Sequence, residues 1–116
     1  MSNIAKADHE ILLTWREATG VLLHSPKEMR LGKTVHYSSP DGEVTIEFRD
    51  DNNSPSLSPF LNPNGSEKIE ISSNEPPIML SKTGQFVCHC FITTPNGEKF
   101  GWGPNSLQSG GNHDVQ

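Results

Sequence analysis

One short segment of the chain carries side chains that commonly bind metals, Cys88-His89-Cys90. Thiolates and imidazoles ligate zinc and copper, and a thiolate is also a nucleophile. The segment lies in a predicted strand, where residues two apart share a face, so both thiols point one way and His89 the other. The three side chains therefore cannot converge on one ion, and we expect two buried thiols that act as small apolar groups.

The other residues with reactive side chains form no motif in the sequence. Asp50-Asp51-Asn52-Asn53 lacks the spaced ligands and closing glutamate of a calcium loop. No glycine-rich phosphate loop precedes a helix, and there is no Gly-x-Ser-x-Gly nucleophile elbow. We therefore expect neither enzymatic activity nor a bound cofactor. The histidines are scattered and could meet only in space: His9, His24, His36, His89 and His113.

Composition limits the chain to one small domain of short elements. It has 116 residues, of which 32% are hydrophobic, and Gly, Pro, Ser and Asn make up about a third. The net charge of −5 argues against a nucleic-acid partner. No apolar run approaches the roughly 18 residues of a membrane span. The N-terminus lacks a signal-peptide pattern, so we expect a cytoplasmic protein, or a secreted one if the chain is a trimmed mature form.

Two alternating segments in the middle of the chain predict strands. Residues 34–38 and 44–49 alternate apolar and polar side chains on either side of Pro40-Asp41-Gly42. This pattern predicts a β-hairpin with Val44, Ile46 and Phe48 facing the core. Shorter strands are predicted around residues 68–72 and 78–80.

The segment Asp50–Gly65 is polar and contains three prolines, which predicts a long loop. Phe60 and Leu61 would hold its far end against the domain. Because loops on a rigid sheet commonly recognise partners, this loop is a candidate binding surface, together with the region around Trp102.

The strongest predicted strand is Gln85–Thr93, which is apolar on both faces and therefore central in its sheet, or half-covered by a loop or partner. Phe86, Cys88, Cys90 and Ile92 share one face. If the opposite face is uncovered, Val87 and Phe91 form with Trp102 an apolar patch of the kind that marks partner or self-association surfaces.

The N-terminal segment fits two structures. Ile4, Ile11, Leu12 and Trp15 have the spacing of a helical stripe. In the alternative, Ile11, Leu13 and Trp15 alternate in a strand. A turn at residues 16–20 follows it, and residues 21–24 pair back. Periodicity alone does not decide between them.

Two segments resemble cupredoxins, the plastocyanin-like family. Ser25–Tyr37 has a proline, a short stretch ending in leucine and then Gly-polar-x-Val-x-aromatic, similar to the family's early strands. Lys82–Cys90 resembles its Gly-x-aromatic-x-x-x-Cys strand. The resemblance covers residues 10–103, implies an antiparallel Greek-key-type β-sandwich of about seven or eight strands, and favours a strand near the N-terminus.

The resemblance also allows the copper ligands of the family to be compared with this sequence. The family's copper centre uses two imidazoles, a thiolate and an axial thioether. Cys90 stands at the thiolate position. No histidine lies in residues 41–47, and neither histidine nor methionine lies in residues 91–95. The chain therefore resembles the scaffold without its copper site.

These observations predict a flexible N-terminus (1–9), a cupredoxin-like sandwich (10–103), and a flexible loop and tail (104–116) with an edge strand at His113–Val115. The expected function is a non-enzymatic, copper-free binding module for a protein partner or a second copy. The alternative is a metal-binding or electron-transfer protein. The partner-binding residues would be Val87, Phe91, Trp102 and Phe60, and the metal ligands of the alternative Cys88, His89 and Cys90.

Overall fold

The computed structural model describes residues 6–17, 20–50, 54–101 and 110–116, and in these ranges the chain is all β. The described residues form nine strands and no helix, and hence no helix that could cross a membrane. The all-β prediction is confirmed. The strands are β1 His9–Arg16, β2 Gly20–His24, β3 Thr34–Ser38, β4 Glu43–Glu47, β5 Glu70–Ser72, β6 Ile78–Met79, β7 Gly84–Thr93, β8 Lys99–Gly101 and β9 Gly110–Val115.

The strands form two sheets. The first sheet has the order β2-β1-β3-β6, and the second has the order β5-β4-β7-β8 with β9 also paired to β7. β9 runs along residues 84–89 of β7 and β8 along residues 91–93, so β7 is central, as predicted. The expectation of a purely antiparallel sandwich is wrong, because β1 and β3 are parallel and Met29 also forms a parallel bridge with Val115.

The predicted central hairpin is also wrong. Both strands exist, but β3 belongs to the first sheet and β4 to the second, so the turn between them carries the chain across the sandwich. The backbone amide of Trp15 donates a hydrogen bond to Asp41 Oδ2 in this turn at 3.0 Å. Gly42 has φ +155°, and a Cβ there would lie 2.1 Å from the carbonyl oxygen of Thr93. Only glycine fits this crossing without displacing β7.

The core lies between the two sheets. Val44, Ile46 and Phe48 are buried as predicted, and so is the predicted inner face of β7. Burying this continuous apolar layer is the main stabilising contribution. The other buried apolar residues are Ile11, Leu13, Val21, Met29, Val35, Tyr37, Phe60, Ile71, Leu80 and Val115.

The two chain ends are strands of the sandwich. β1 and β2 form an antiparallel hairpin with Leu13 opposite Leu23, so the helical alternative is wrong. The strand predicted at His113–Val115 lies within β9, which begins earlier at Gly110, and Val115 is buried. The backbone amide of Met29 donates to the Asp114 carbonyl at 2.8 Å, which pairs the C-terminal residues with the segment before β3. The flexible segments predicted from the sequence are 1–9 and 104–116, of which residues 1–5 and 104–109 lie outside the described residues. The prediction is too wide at its described ends, because His9 begins β1 and residues 110–115 form β9.

Candidate functional site

The predicted metal-binding segment diverges as its strand geometry requires. Cys88 and Cys90 are free, buried thiols between the sheets, whereas His89 lies on the opposite face of β7. A hydrogen bond with Cys88, together with burial, raises the pKa of the Cys90 thiol well above its ordinary value, so it stays protonated. Within the described ranges, no three His, Cys, Asp or Glu side chains are placed to share a metal ion. The residues present therefore do not fit the copper centre of the family that the sequence resembles.

A buried polar pair that the sequence did not reveal joins Tyr37 to His113. The Tyr37 hydroxyl lies 2.6 Å from His113 Nε2, and His113 Nδ1 lies 3.0 Å from the Asn112 carbonyl oxygen. A carbonyl only accepts, so Nδ1 carries the proton and Nε2 accepts from the phenol. Burial lowers the pKa of His113 to about 4 and raises that of Tyr37, so both are neutral. Their hydrogen bonds satisfy the polar atoms that these two side chains bury in the core.

Two of the four predicted partner-binding residues lie on the outer face of the second sheet. Val87 is 44% exposed. Phe91 is half-buried, with the Lys99 ammonium 4.5 Å from its ring centroid and Gly101 beneath the ring. Trp102 lies outside the described residues. The two described side chains form a small apolar surface feature.

Phe60 corrects the prediction of a binding surface on the long loop. The prediction that Phe60 holds the loop against the domain is confirmed, but its ring is fully buried and has no surface for a partner. The loop backbone is also held in place, because Ser58 Oγ donates to the Lys68 carbonyl at 2.6 Å and the Ser81 amide to the Pro59 carbonyl at 2.8 Å. This part of the loop belongs to the packed body of the domain.

A cavity of about 670 Å³ lies on the outer face of the first sheet. We call it the outer cavity. β1 and β3 form one side, and the segment that links β5 to β6 forms the other. It is lined by Lys6, Ala7, Glu10, His36, Ser73, Asn74, Glu75, Pro76 and Pro77.

The two sides of the outer cavity are joined through His36. Glu10 and His36 are direct neighbours across the parallel pair, and His36 Nδ1 lies 2.8 Å from both Glu10 carboxylate oxygens. His36 Nε2 lies 3.0 Å from the carbonyl oxygen of Ser73. Both partners only accept, so both nitrogens donate only when the ring is an imidazolium. Partial burial opposes this charge, but the hydrogen bonds to Glu10 and Ser73 outweigh it and raise the pKa of His36.

Glu75 holds in place the segment that links β5 to β6, residues 73–77, which we call the cover of the outer cavity. Its Oε2 accepts a hydrogen bond from the Ser72 amide at 2.7 Å, and its Oε1 lies 2.7 Å from Lys68 Nζ. Burial opposes ionisation of Glu75, but these bonds outweigh that effect and lower the pKa of the carboxyl. Pro76 and Pro77 follow directly and restrict the backbone. The cover of the outer cavity is therefore held by both side-chain bonds and rigid residues.

Replacing Glu10 with glutamine is expected to lower the free energy of unfolding by about 0.5 kcal/mol at pH 5.5 and by little at pH 8.5. The raised pKa of His36 means that its ion pair stabilises the fold fully below the unfolded-state pKa of histidine. That contribution disappears as pH rises through the folded-state pKa. Urea unfolding at the two pH values measures the difference.

The matched control is Glu28→Gln, which removes an exposed carboxylate without an ion pair in the described part of the chain. It should leave the free energy of unfolding nearly unchanged at both pH values. An effect of Glu10→Gln that grows as pH rises would contradict the assignment of His36 as an imidazolium.

Comparison of the chain with protein-family models, with curated proteins and with solved structures finds no match. The function of the outer cavity is therefore inferred from its geometry. In the sequence, Pro76 and Pro77 only separate the strands predicted around residues 68–72 and 78–80, and do not mark this segment as one side of a cavity. Nothing in the sequence connects Glu10 with His36, because they become neighbours only when β1 pairs with β3.

Proposed function

We propose that this protein is a non-enzymatic binding module that holds a small, mainly apolar ligand in the outer cavity. The observation that carries the proposal is the cavity itself. Its volume of about 670 Å³ falls within the roughly 300–1,000 Å³ of small-molecule sites. Such sites combine apolar walls with a few polar groups. Here Ala7, Pro76 and Pro77 supply the apolar walls, and the side chains of His36 and Asn74 are among the polar groups.

Preorganisation supports binding. One side of the cavity is a pair of hydrogen-bonded strands, and the other is tied to it by the bond between His36 and the Ser73 carbonyl. The Ser73 hydroxyl accepts from the Val44 amide at 2.9 Å, which anchors the cover to the second sheet. A ligand that enters a preformed site does not have to order its walls, so more of the contact energy appears as affinity.

The same contacts argue for binding rather than catalysis. Both ring nitrogens of His36 are engaged, so its imidazole is not a free base. The scaffold proposed for this module is a copper-free, cupredoxin-like sandwich. The two-sheet all-β architecture and the internal position of the strand that carries Cys90 support it. The proposal moves the binding site from the long loop and the Trp102 region to the outer cavity.

Titration with indole, a neutral apolar probe, tests this function. We expect saturable shifts of the backbone amide resonances of Ala7, His36 and Asn74 in ¹H–¹⁵N spectra, with a Kd on the order of 1 mM for so small a ligand. The amide of Val87, on the other sheet, should not move. Ala7→Phe should block the shifts by filling the cavity, whereas Thr83→Phe, an exposed site outside the lining, should not.

Two outcomes would contradict the proposal. One is the absence of shifts at Ala7, His36 and Asn74 at saturating indole. The other is shifts that persist unchanged in the Ala7→Phe variant, because the probe would then occupy another place on the protein.

A further inference from the structure

One charged side chain in the lining of the outer cavity has no ion-pair partner among the described residues. Its charged lining residues are Lys6, Glu10, His36 and Glu75. Glu10 is neutralised by the His36 imidazolium and Glu75 by Lys68, which lies behind the cover. Lys6 makes no ion pair with any residue that the structure describes. The four lining charges sum to zero while His36 is protonated, but both carboxylates are paired, which leaves the Lys6 ammonium as the unpaired charge among the described lining residues.

Free hydrogen-bond donors accompany this charge. The Lys6 ammonium has three donors, and the side-chain amide of Asn74 has two. Neither side chain is used in a hydrogen bond within the described ranges, where Asn74 takes part only through its backbone amide. The two glutamate carboxylates, by contrast, are already occupied. The unused donors of the cavity are thus the Lys6 ammonium, which carries the positive charge, and the neutral amide of Asn74, whose oxygen is also an unused acceptor.

We propose that the ligand of the outer cavity is a small monocarboxylic acid with an aromatic or aliphatic body. The body would pack against the apolar side chains of Ala7, Pro76 and Pro77, of which the prolines are also restricted in conformation. The carboxylate would accept hydrogen bonds from Lys6 and Asn74. This inference rests on the proposed function and adds the chemical class of the ligand.

The proposal implies a direction of pH dependence. When His36 loses its proton, the Glu10 carboxylate is no longer neutralised and repels an anionic ligand, so affinity should fall as pH rises through this titration. The other carboxylates nearby remain ionised in this range. Glu75 is held by Lys68, and Asp8, next to Ala7, accepts from the Thr34 amide at 2.9 Å. The ligand would in turn favour the protonated form of His36.

The test compares phenylacetate with phenylacetamide, which have nearly the same shape and differ in charge. By ¹H–¹⁵N titration at pH 6, phenylacetate should bind about threefold more tightly, the effect of one partly exposed ion pair. The ratio should shrink at pH 8.5. Lys6→Gln should bring it close to one at pH 6, whereas Lys27→Gln, a lysine outside the lining, should leave it unchanged.

The outcomes separate this inference from the proposed function. Equal affinity for acid and amide, with shifts at Ala7, His36 and Asn74, would overturn the carboxylate preference and leave the binding module intact. A preference for the acid that survives Lys6→Gln would also overturn it. If neither probe shifts these three amides, both proposals fail.

Discussion

Replacing Phe60 with alanine is expected to lower the free energy of unfolding by about 3–5 kcal/mol, the range for truncating a buried phenylalanine. Its ring is fully buried and meets Phe48 edge-on, with the ring centroids 5.7 Å apart. The backbone around it cannot collapse into the vacated space. Its carbonyl accepts from the Lys68 amide at 2.9 Å, and its amide donates to Ser58 Oγ at 3.1 Å. Urea unfolding followed by circular dichroism measures the loss.

Leu57→Ala is the matched control, because it removes a leucine three residues away in the same loop. Leu57 is 63% exposed, so its truncation should change the free energy of unfolding by less than about 0.5 kcal/mol. If the two variants cost the same, or if Phe60→Ala costs less than about 1 kcal/mol, the loop is not packed into the core in the way described.

The buried faces of the strands could be predicted from the sequence, but their partners could not. Alternation reports which side chains of a strand face the core, and it correctly identified Val44, Ile46 and Phe48. The same alternation of apolar and polar residues occurs in two strands of one hairpin and in two strands that face each other from different sheets. The pattern of residues 34–38 and 44–49 therefore predicts one hairpin, although β3 and β4 lie in different sheets.

The polar contacts of the cavity and the core depend on long-range pairing. Glu10 and His36 are 26 positions apart, and Tyr37 and His113 are 76 apart. In the sequence, each of these residues fits the pattern of its own predicted strand, so nothing local indicates that it has a distant partner. By contrast, the segment Cys88-His89-Cys90 lies within one strand, so local geometry alone predicted that its thiols are buried together and its imidazole diverges.

Acidification is expected to destabilise the protein by about 3 kcal/mol between pH 7 and pH 4 through His113 alone. The pKa of this imidazole falls from about 6.5, its ordinary value, to about 4 because it is buried. Between these values the unfolded chain binds a proton that the folded chain does not, so the free energy of unfolding falls as pH falls. A difference of this size in pKa corresponds to about 3 kcal/mol.

His113→Gln isolates this contribution. Glutamine does not titrate, and its amide can both accept from the Tyr37 hydroxyl and donate to the Asn112 carbonyl. We expect the variant to be less stable than the wild type at pH 7, and the difference to shrink by about 3 kcal/mol at pH 4. Carboxyl groups such as Glu75 also lose stabilising interactions in acid, but they do so in both proteins and cancel in the comparison.

Tyr37→Phe separates titration from simple loss of stability. It leaves His113 Nε2 without its phenol donor in the core, which should cost about 1–3 kcal/mol at pH 7. Because it keeps the imidazole, it should still lose stability in acid as the wild type does. Urea unfolding of the three proteins at pH 7, 5.5 and 4 gives the comparison. If His113→Gln loses as much stability as the wild type over this range, the buried imidazole is not the group whose protonation opposes folding.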